Sequence, residues 1–167
     1  MNKPELLAPA GNLEKLKIAL AYGADAVYIG GKKFGLRALA DNFSLEDMKE
    51  AIDYAHEMGK KVYVTMNIFA RNDDFDEMEE YVRSLGQIGA DAIILSDPGI
   101  LDLVRETEPD LEIHLSTQAN NTNYRSAMFW HKMGVKRIIL ARELSLVEIS
   151  QIRENTPGSL ELEAFVH

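Results

Sequence analysis

Between Leu111 and Ser116 the side chains alternate, with Leu111, Ile113 and Leu115 apolar against Glu112, His114 and Ser116. That period of two predicts a strand with one face packed on apolar neighbours. It runs into eight small or polar residues, Ser116 to Asn123, of which only Ala119 lacks a polar side chain, and a helical pattern follows. A polar run between a strand end and a helix is where parallel α/β proteins place their chemistry. The unit recurs: Gly23, Gly59, Gly89 and Gly134 each precede a short apolar strand. Glycine suits the position after a helix because the left-handed conformation there costs little without a Cβ. Between these strands, Leu45, Met48, Ile52 and Ala55 share one helical face, as do Phe75, Met78, Val82 and Leu85. Helix starts are marked by Asn12, Ser44, Asp97 before Pro98, and Ser145 with Glu148 three residues on.

The pattern predicts strands at 5–8, 26–30, 61–67, 92–96, 111–116, 136–141 and 160–166, with six helices between them. Strict alternation implies parallel strands, in a closed (β/α) barrel or an open doubly wound sheet. Strands of an open sheet covered on both sides are apolar on both faces. Here one face is polar on several strands: Tyr63, Thr65 and Asn67; Glu112, His114 and Ser116; Glu161, Glu163, Phe165 and His167. A lumen leading to a site at the C-terminal mouth accounts for that face. The expected fold is an α/β, parallel (β/α) TIM-like barrel over residues 1–167 as a single domain, incomplete with seven of eight strands. A chain ending inside an apolar strand, at Phe165 and Val166, reads as a fragment. Such a fragment is expected to be catalytically incompetent alone, and either a homodimer through its open barrel edge or marginally stable.

Composition narrows the partners. The net charge of −9 works against binding nucleic-acid backbone. The clusters Lys32, Lys33, Arg37 and Lys132, Lys136, Arg137 read as solvated faces. Without cysteine the chain holds no disulfide, thiolate nucleophile or cysteine-ligated metal, which fits a reducing compartment. No apolar run approaches the roughly 20 residues of a spanning helix, and no signal peptide is present; the chain reads as cytoplasmic with no membrane partner.

At the C-terminal strand ends, Asn67, Gln118 and Asn120 can orient a polar substrate, with Ser116 and Thr117 beside them. Arg142, next to Glu143, can grip a carboxylate or phosphate, and Arg37 is a further cation for the same task. Glu163 and His167 can share proton transfer, with His114 as a third candidate. Each has a plainer reading: Asp97 as a helix cap, Arg142 with Glu143 as a surface pair, Asn120 to Asn123 as loop and cap chemistry, and His114 as a hydrogen-bonded core histidine. Glu112, Glu161 and Glu163 are harder to dismiss, since burying carboxylates without partners is costly. No phosphate-binding glycine loop, HExxH or GxSxG motif is present; Gly30, Gly31 and Gly35 read as a loop permitting tight turns or close ligand approach.

The segments Glu5–Gly11, Gly23–Gly31, Phe34–Ala38, Val62–Asn67, Ser96–Gly99, His114–Asn120, Ala141–Leu146 and Glu161–His167 together resemble the collagenase-like peptidases, the peptidase U-thirty-two group. The resemblance implies a TIM-like barrel and places this chain at the N-terminal part of a longer family protein. It implies either proteolysis, as the family label states, or oxygen-independent hydroxylation of tRNA or rRNA with prephenate as oxygen donor. RNA would then be contacted only by parts outside this segment. It also implies an iron–sulfur cluster in the full-length protein; no cofactor is assigned to this chain. The family signature starts at Glu163–Ala164–Phe165 and continues to cysteines beyond His167. A non-catalytic binding or assembly module is the third reading.

Overall fold

All four helix-closing glycines have positive φ: 102° at Gly23, 66° at Gly59, 85° at Gly89 and 91° at Gly134. A Cβ is strained there, so glycine sets where each helix stops and the next strand begins. The computed structural model describes residues 3–36 and 42–166. These form β1 (Leu7–Pro9), α1 (Leu13–Ala21), β2 (Ala26–Gly30), α2 (Leu45–Glu57), β3 (Lys61–Thr65), α3 (Phe75–Gln87), β4 (Ala92–Leu95), α4 (Pro98–Thr107), β5 (Glu112–Leu115), α5 (Tyr124–Lys132), β6 (Arg137–Ile139), α6 (Leu146–Glu154) and β7 (Glu161–Glu163). Short 3-10 turns lie at Asn72–Asp74 and Thr117–Ala119.

The caps follow the sequence signals. Asn12 Oδ1 accepts from Lys15 N–H, and Ser44 with Asp47 and Ser145 with Glu148 form reciprocal capping boxes. Asp97 accepts from the Gly99 and Ile100 amides, with Pro98 in the first turn. Each satisfies amides that the helix itself leaves unpaired.

The sheet order is β1-β2-β3-β4-β5-β6-β7, every pair parallel. It curls into a half-barrel that leaves β1 and β7 as edges, and Glu5, just before β1, still reaches Arg137 on β6. One face of the sheet meets the helices. Val27, Ile29, Val62, Val64, Ile93, Leu95, Ile113 and Leu115 pack there with Leu16, Met48, Ile52, Met78, Leu85 and Ile100 in one continuous core. Each such fully buried side chain stabilises the fold by roughly 1.5–3 kcal/mol. The opposite face lines the lumen, with Ala26, Tyr63, Ala92, Ile94 and Ile139 in a second, smaller apolar cluster.

Five strands end earlier than the alternation predicts: β3 at Thr65, β4 at Leu95, β5 at Leu115, β6 at Ile139 and β7 at Glu163. The ladder makes one further bond past most of these ends, such as Met66 N–H to Ile94 O and Ser116 N–H to Leu95 O. The chain then turns into the loop that caps the next helix. Gly31 does not open space for a ligand. A Cβ there would collide with the Tyr81 hydroxyl and Met48, so the glycine admits a protein side chain.

Two of the helix-closing glycines differ in their surroundings. A Cβ at Gly134 would lie 2.8 to 3.1 Å from the Arg105 guanidinium, which donates to Gly134 O, whereas at Gly23 nothing lies within 4 Å. Gly134→Ala therefore adds a displaced arginine to the conformational strain that Gly23→Ala also carries. In urea unfolding, Gly23→Ala should cost about 1 kcal/mol and Gly134→Ala clearly more, on the order of 2. Equal costs would show that Arg105 moves aside freely.

Candidate functional site

The lumen is ionic on the side of β5, β6 and β7. Arg137 opens β6, and its guanidinium is almost fully buried. Nη1 donates to Glu5 Oε1 at 2.6 Å, while Nε and Nη2 reach Glu161 Oε2 at 2.8 and 2.7 Å. Glu163 Oε2 is 3.5 Å from Nη1, an ion-pair distance without a hydrogen bond. The Arg137 guanidinium also lies 5.2 Å from the Tyr63 ring centroid, and the Tyr63 hydroxyl donates to Glu5 at 3.0 Å. The register explains the convergence. Arg137 is paired with His114 on one side and Glu161 on the other, so these side chains lie in one row on the lumen face.

Burial opposes the charge on Arg137, but the hydrogen bonds it donates to Glu5 and Glu161 outweigh it and keep the guanidinium firmly protonated. Burial also pushes Glu5 up, yet the Arg137 bonds leave its carboxyl below the usual range. Glu163 goes the other way: burial raises it, and the longer contact to Arg137 offsets only part of that. His114 is fully buried, its ring edge-on to Tyr63 at 4.6 Å. Among the described residues neither ring nitrogen is hydrogen-bonded, and Glu112 is 3.7 Å away. Burial lowers its pKa despite Glu112, so the ring is held neutral.

A cleft of about 990 Å³ opens beside this cluster, between β1 and β7, lined in part by Glu5, Tyr28, Arg137, Glu161 and Glu163. At the other end of the strands lies the rim. Ser116 accepts from Gln118 N–H and donates to Gln118 Oε1. Thr117 Oγ1 donates to Leu140 O, Asn121 Nδ2 to Asn123 O, and Asn123 caps α5. Asn120 holds a left-handed conformation, φ 50° and ψ 50°, that ends the 3-10 turn. Asn67 Oδ1 accepts from Leu36 N–H, joining the end of β3 to the loop after β2.

The structure thus places Glu112, His114 and Glu163 on the lumen face and Asn67, Ser116, Thr117, Gln118 and Asn120 at the C-terminal strand ends. Arg142 and Glu143 are both exposed and form no surface pair with each other. Arg37 and His167 lie outside the described residues. Arg137 corrects the sequence reading, which grouped it with Lys132 and Lys136 as a solvated face: it is 8% exposed and organises the lumen. Glu5 and the Tyr63 hydroxyl were likewise missed as members of the cluster. Two signals pointed to Arg137: it shares the parity of lumenal Ile139, and the lumenal glutamates require a cation.

The comparisons with known proteins now bear on this geometry. A family model described as Peptidase family U32 matches residues 11–167, and the chain belongs to that family. It is 49% identical over 99% of its length to "tRNA hydroxylation protein P1" of Bacillus subtilis (strain 168), covering 39% of that protein. It is 47% identical over its whole length to "tRNA hydroxylation protein P" of Escherichia coli (strain K12), covering 37% of it. The chain therefore spans about two fifths of these curated relatives. Among solved structures, "The Structure of the U32 Peptidase Mk0906" superposes with a TM-score of 0.79 at 19% identity, over 98% of this chain and 70% of that one. That likeness shows the fold, a TIM-like (β/α) architecture. Among the described residues no helix is long and apolar enough to cross a membrane.

Two outcomes follow from the lumen. Arg137→Met leaves the partly buried carboxylates of Glu5 and Glu163 without their cation and should cost about 2 kcal/mol in urea unfolding, against about 1 kcal/mol or less for Glu161→Gln, whose half-exposed carboxyl is screened by water. Similar costs would remove Arg137 from its central role. His114 takes up its proton in the unfolded chain near its ordinary 6.5 but resists it when folded. The unfolded state therefore binds more protons below that pH, and the His114 contribution to stability is lost as pH falls. Glu163, raised by burial, has the opposite slope. The stability advantage of the native chain over His114→Phe should shrink as thermal unfolding is moved from about pH 7 to about pH 5.5. A pH-independent difference would place the titration elsewhere.

Proposed function

We propose that this chain is the (β/α) barrel part of an oxygen-independent RNA hydroxylation protein that acts on tRNA in the cytoplasm. The observation that carries the reading is near-half identity, sustained along the chain, to tRNA hydroxylation proteins of two distant bacteria. The rim suits a small carboxylate such as prephenate as oxygen donor: Arg142 is exposed there, near a segment whose Gln118 and Asn120 carry amides. Within this reading Glu163, raised by burial and lining the cleft, is the group best placed to hold a proton. A net charge of −9 makes this part a poor RNA surface, so RNA contact falls to other segments or partners.

The peptidase reading has the family label, but its chemistry finds no support in the described site. Ser116 Oγ is engaged with Gln118, and His114 packs against Tyr63 without reaching a hydroxyl nucleophile. An iron–sulfur cluster, expected of longer relatives, does not fit here. It needs thiolates, and the chain has none.

Mass spectrometry of tRNA and rRNA from a strain lacking the gene should show loss of hydroxylated pyrimidines, with tRNA the affected pool, and restoration by the intact gene. In parallel, prephenate titrated into the protein should bind, and bind more weakly after Arg142→Gln. Unchanged hydroxylation in the deletion strain would refute the proposal.

A further inference from the structure

The ladder bonds that continue past the strand ends set polar side chains in one row. Ser116 N–H donates to Leu95 O, which in a parallel pair puts Ser116 opposite Ser96. Met66 N–H donates to Ile94 O, so Met66 lies opposite Leu95, and Asn67 becomes the neighbour of Ser96 on the other side. Leu115 pairs with Ile138, and Ile139 pairs with Glu163. The row therefore runs from Asn67 through Ser96, Ser116 and Ile139 to Glu163. Parity puts it on the lumen face, because Tyr63, Ile94 and Ile139 belong to the lumenal apolar cluster, and Asn67 and Ser96 share the parity of Tyr63 and Ile94.

Folding uses these groups unequally. Ser116 is engaged with Gln118. Asn67 gives its Oδ1 to the Leu36 amide and keeps its Nδ2 hydrogens as donors. Asp97, next to Ser96, is taken up as the cap of α4. Ser96 itself is partly buried, and its hydroxyl has no hydrogen-bond partner among the described residues. Ile94 beneath it and Ile139 along the row are apolar. Neutral hydrogen-bonding groups against an apolar wall, with no cation in the row, suit an uncharged oxygen on a carbon skeleton. A carboxylate on the same skeleton has its counter-charge in Arg142, after β6.

We propose that Ser96 and Asn67 bind the uncharged oxygen of a small hydroxy- or keto-carboxylate, holding that oxygen inside the lumen mouth while the carboxylate points toward Arg142. Asn67 donates through Nδ2, and the Ser96 hydroxyl donates to a carbonyl or accepts from a hydroxyl. The orientation of the carboxylate rests on the oxygen-donor reading; the roles of Ser96 and Asn67 rest on the register. Ser96 thus sets specificity at a strand end whose acidic neighbour only caps a helix.

To test it, the intact protein is titrated with succinate, with each malate enantiomer, which adds one hydroxyl, and with prephenate, binding being followed by NMR shifts. The better malate enantiomer should bind roughly fivefold tighter than succinate, the worth of one neutral hydrogen bond. Ser96→Ala should abolish that preference and weaken prephenate by a similar factor, with succinate unchanged. Asn67→Asp keeps the acceptor for Leu36, loses the Nδ2 donor, and should narrow the preference as well. Circular dichroism checks that each variant is folded. A hydroxyl preference that survives Ser96→Ala, or none in the native protein, overturns the proposal; the donor reading then stands if prephenate still binds and Arg142→Gln weakens it. Failure of prephenate alone, with a malate preference that depends on Ser96, upholds the pocket and removes prephenate as the donor. No binding by any of these ligands defeats both.

Discussion

The half-barrel depends on one buried cation. The backbone ladder ends at β1 and β7, yet Arg137 on β6 binds Glu5 ahead of β1 and Glu161 on β7. Side-chain hydrogen bonds thus span the interval that backbone hydrogen bonds leave open. Tyr63 adds to the tie from β3, its hydroxyl on Glu5 and its ring near the guanidinium. Most folding free energy still comes from the helix-facing core, because hydrophobic burial scales with area and that core is far larger. What Arg137 contributes is curvature: it holds the first and last parts of the sheet toward a common centre.

The same cation divides the lumen. Toward β2 and β4 the interior is Ala26, Ala92 and Ile94; toward β5 and β7 it is Glu112, His114, Glu161 and Glu163. Small apolar residues let the curl tighten, while the ionic half carries more negative than positive charge. That imbalance explains why two carboxyls on the same arginine differ. Glu5 has a 2.6 Å hydrogen bond and is stabilised as the anion, whereas Glu163, at 3.5 Å, bears the burial cost with little return. Position relative to one guanidinium decides which carboxyl can hold a proton.

Much of the scaffold was legible in the sequence because it rests on local chemistry. A glycine after a helix, a serine three residues before an acid and an aspartate before proline each act within one turn, and all appear where the pattern put them. Alternation along 111–116 likewise identified the lumen face of β5, since Glu112 and His114 lie there. Arg137 was harder to read. Its strand is only three residues long, too short for a period to stand out, and its basic neighbours Lys132 and Lys136 favour a surface assignment. The pairing with Glu5 joins residues 132 apart in the chain, and no local rule reports such a contact.

The polar run after β5 shows why residue type alone overstates a site. Ser116, Thr117, Asn121 and Asn123 have the side chains of a binding loop, but their hydrogen bonds build the loop: a turn cap, a tie to β6, a bond within the segment and the start of α5. A group already committed to a neighbour can meet a ligand only by breaking that bond, at roughly 1 kcal/mol or more. At the rim the groups that stay outside this network include the exposed Arg142, which has no ion pair among the described residues. In the lumen the least satisfied group is Glu163, whose Oε2 is buried, close to a cation and without a hydrogen bond among the described residues. Chemistry in this architecture is set by what folding does not consume.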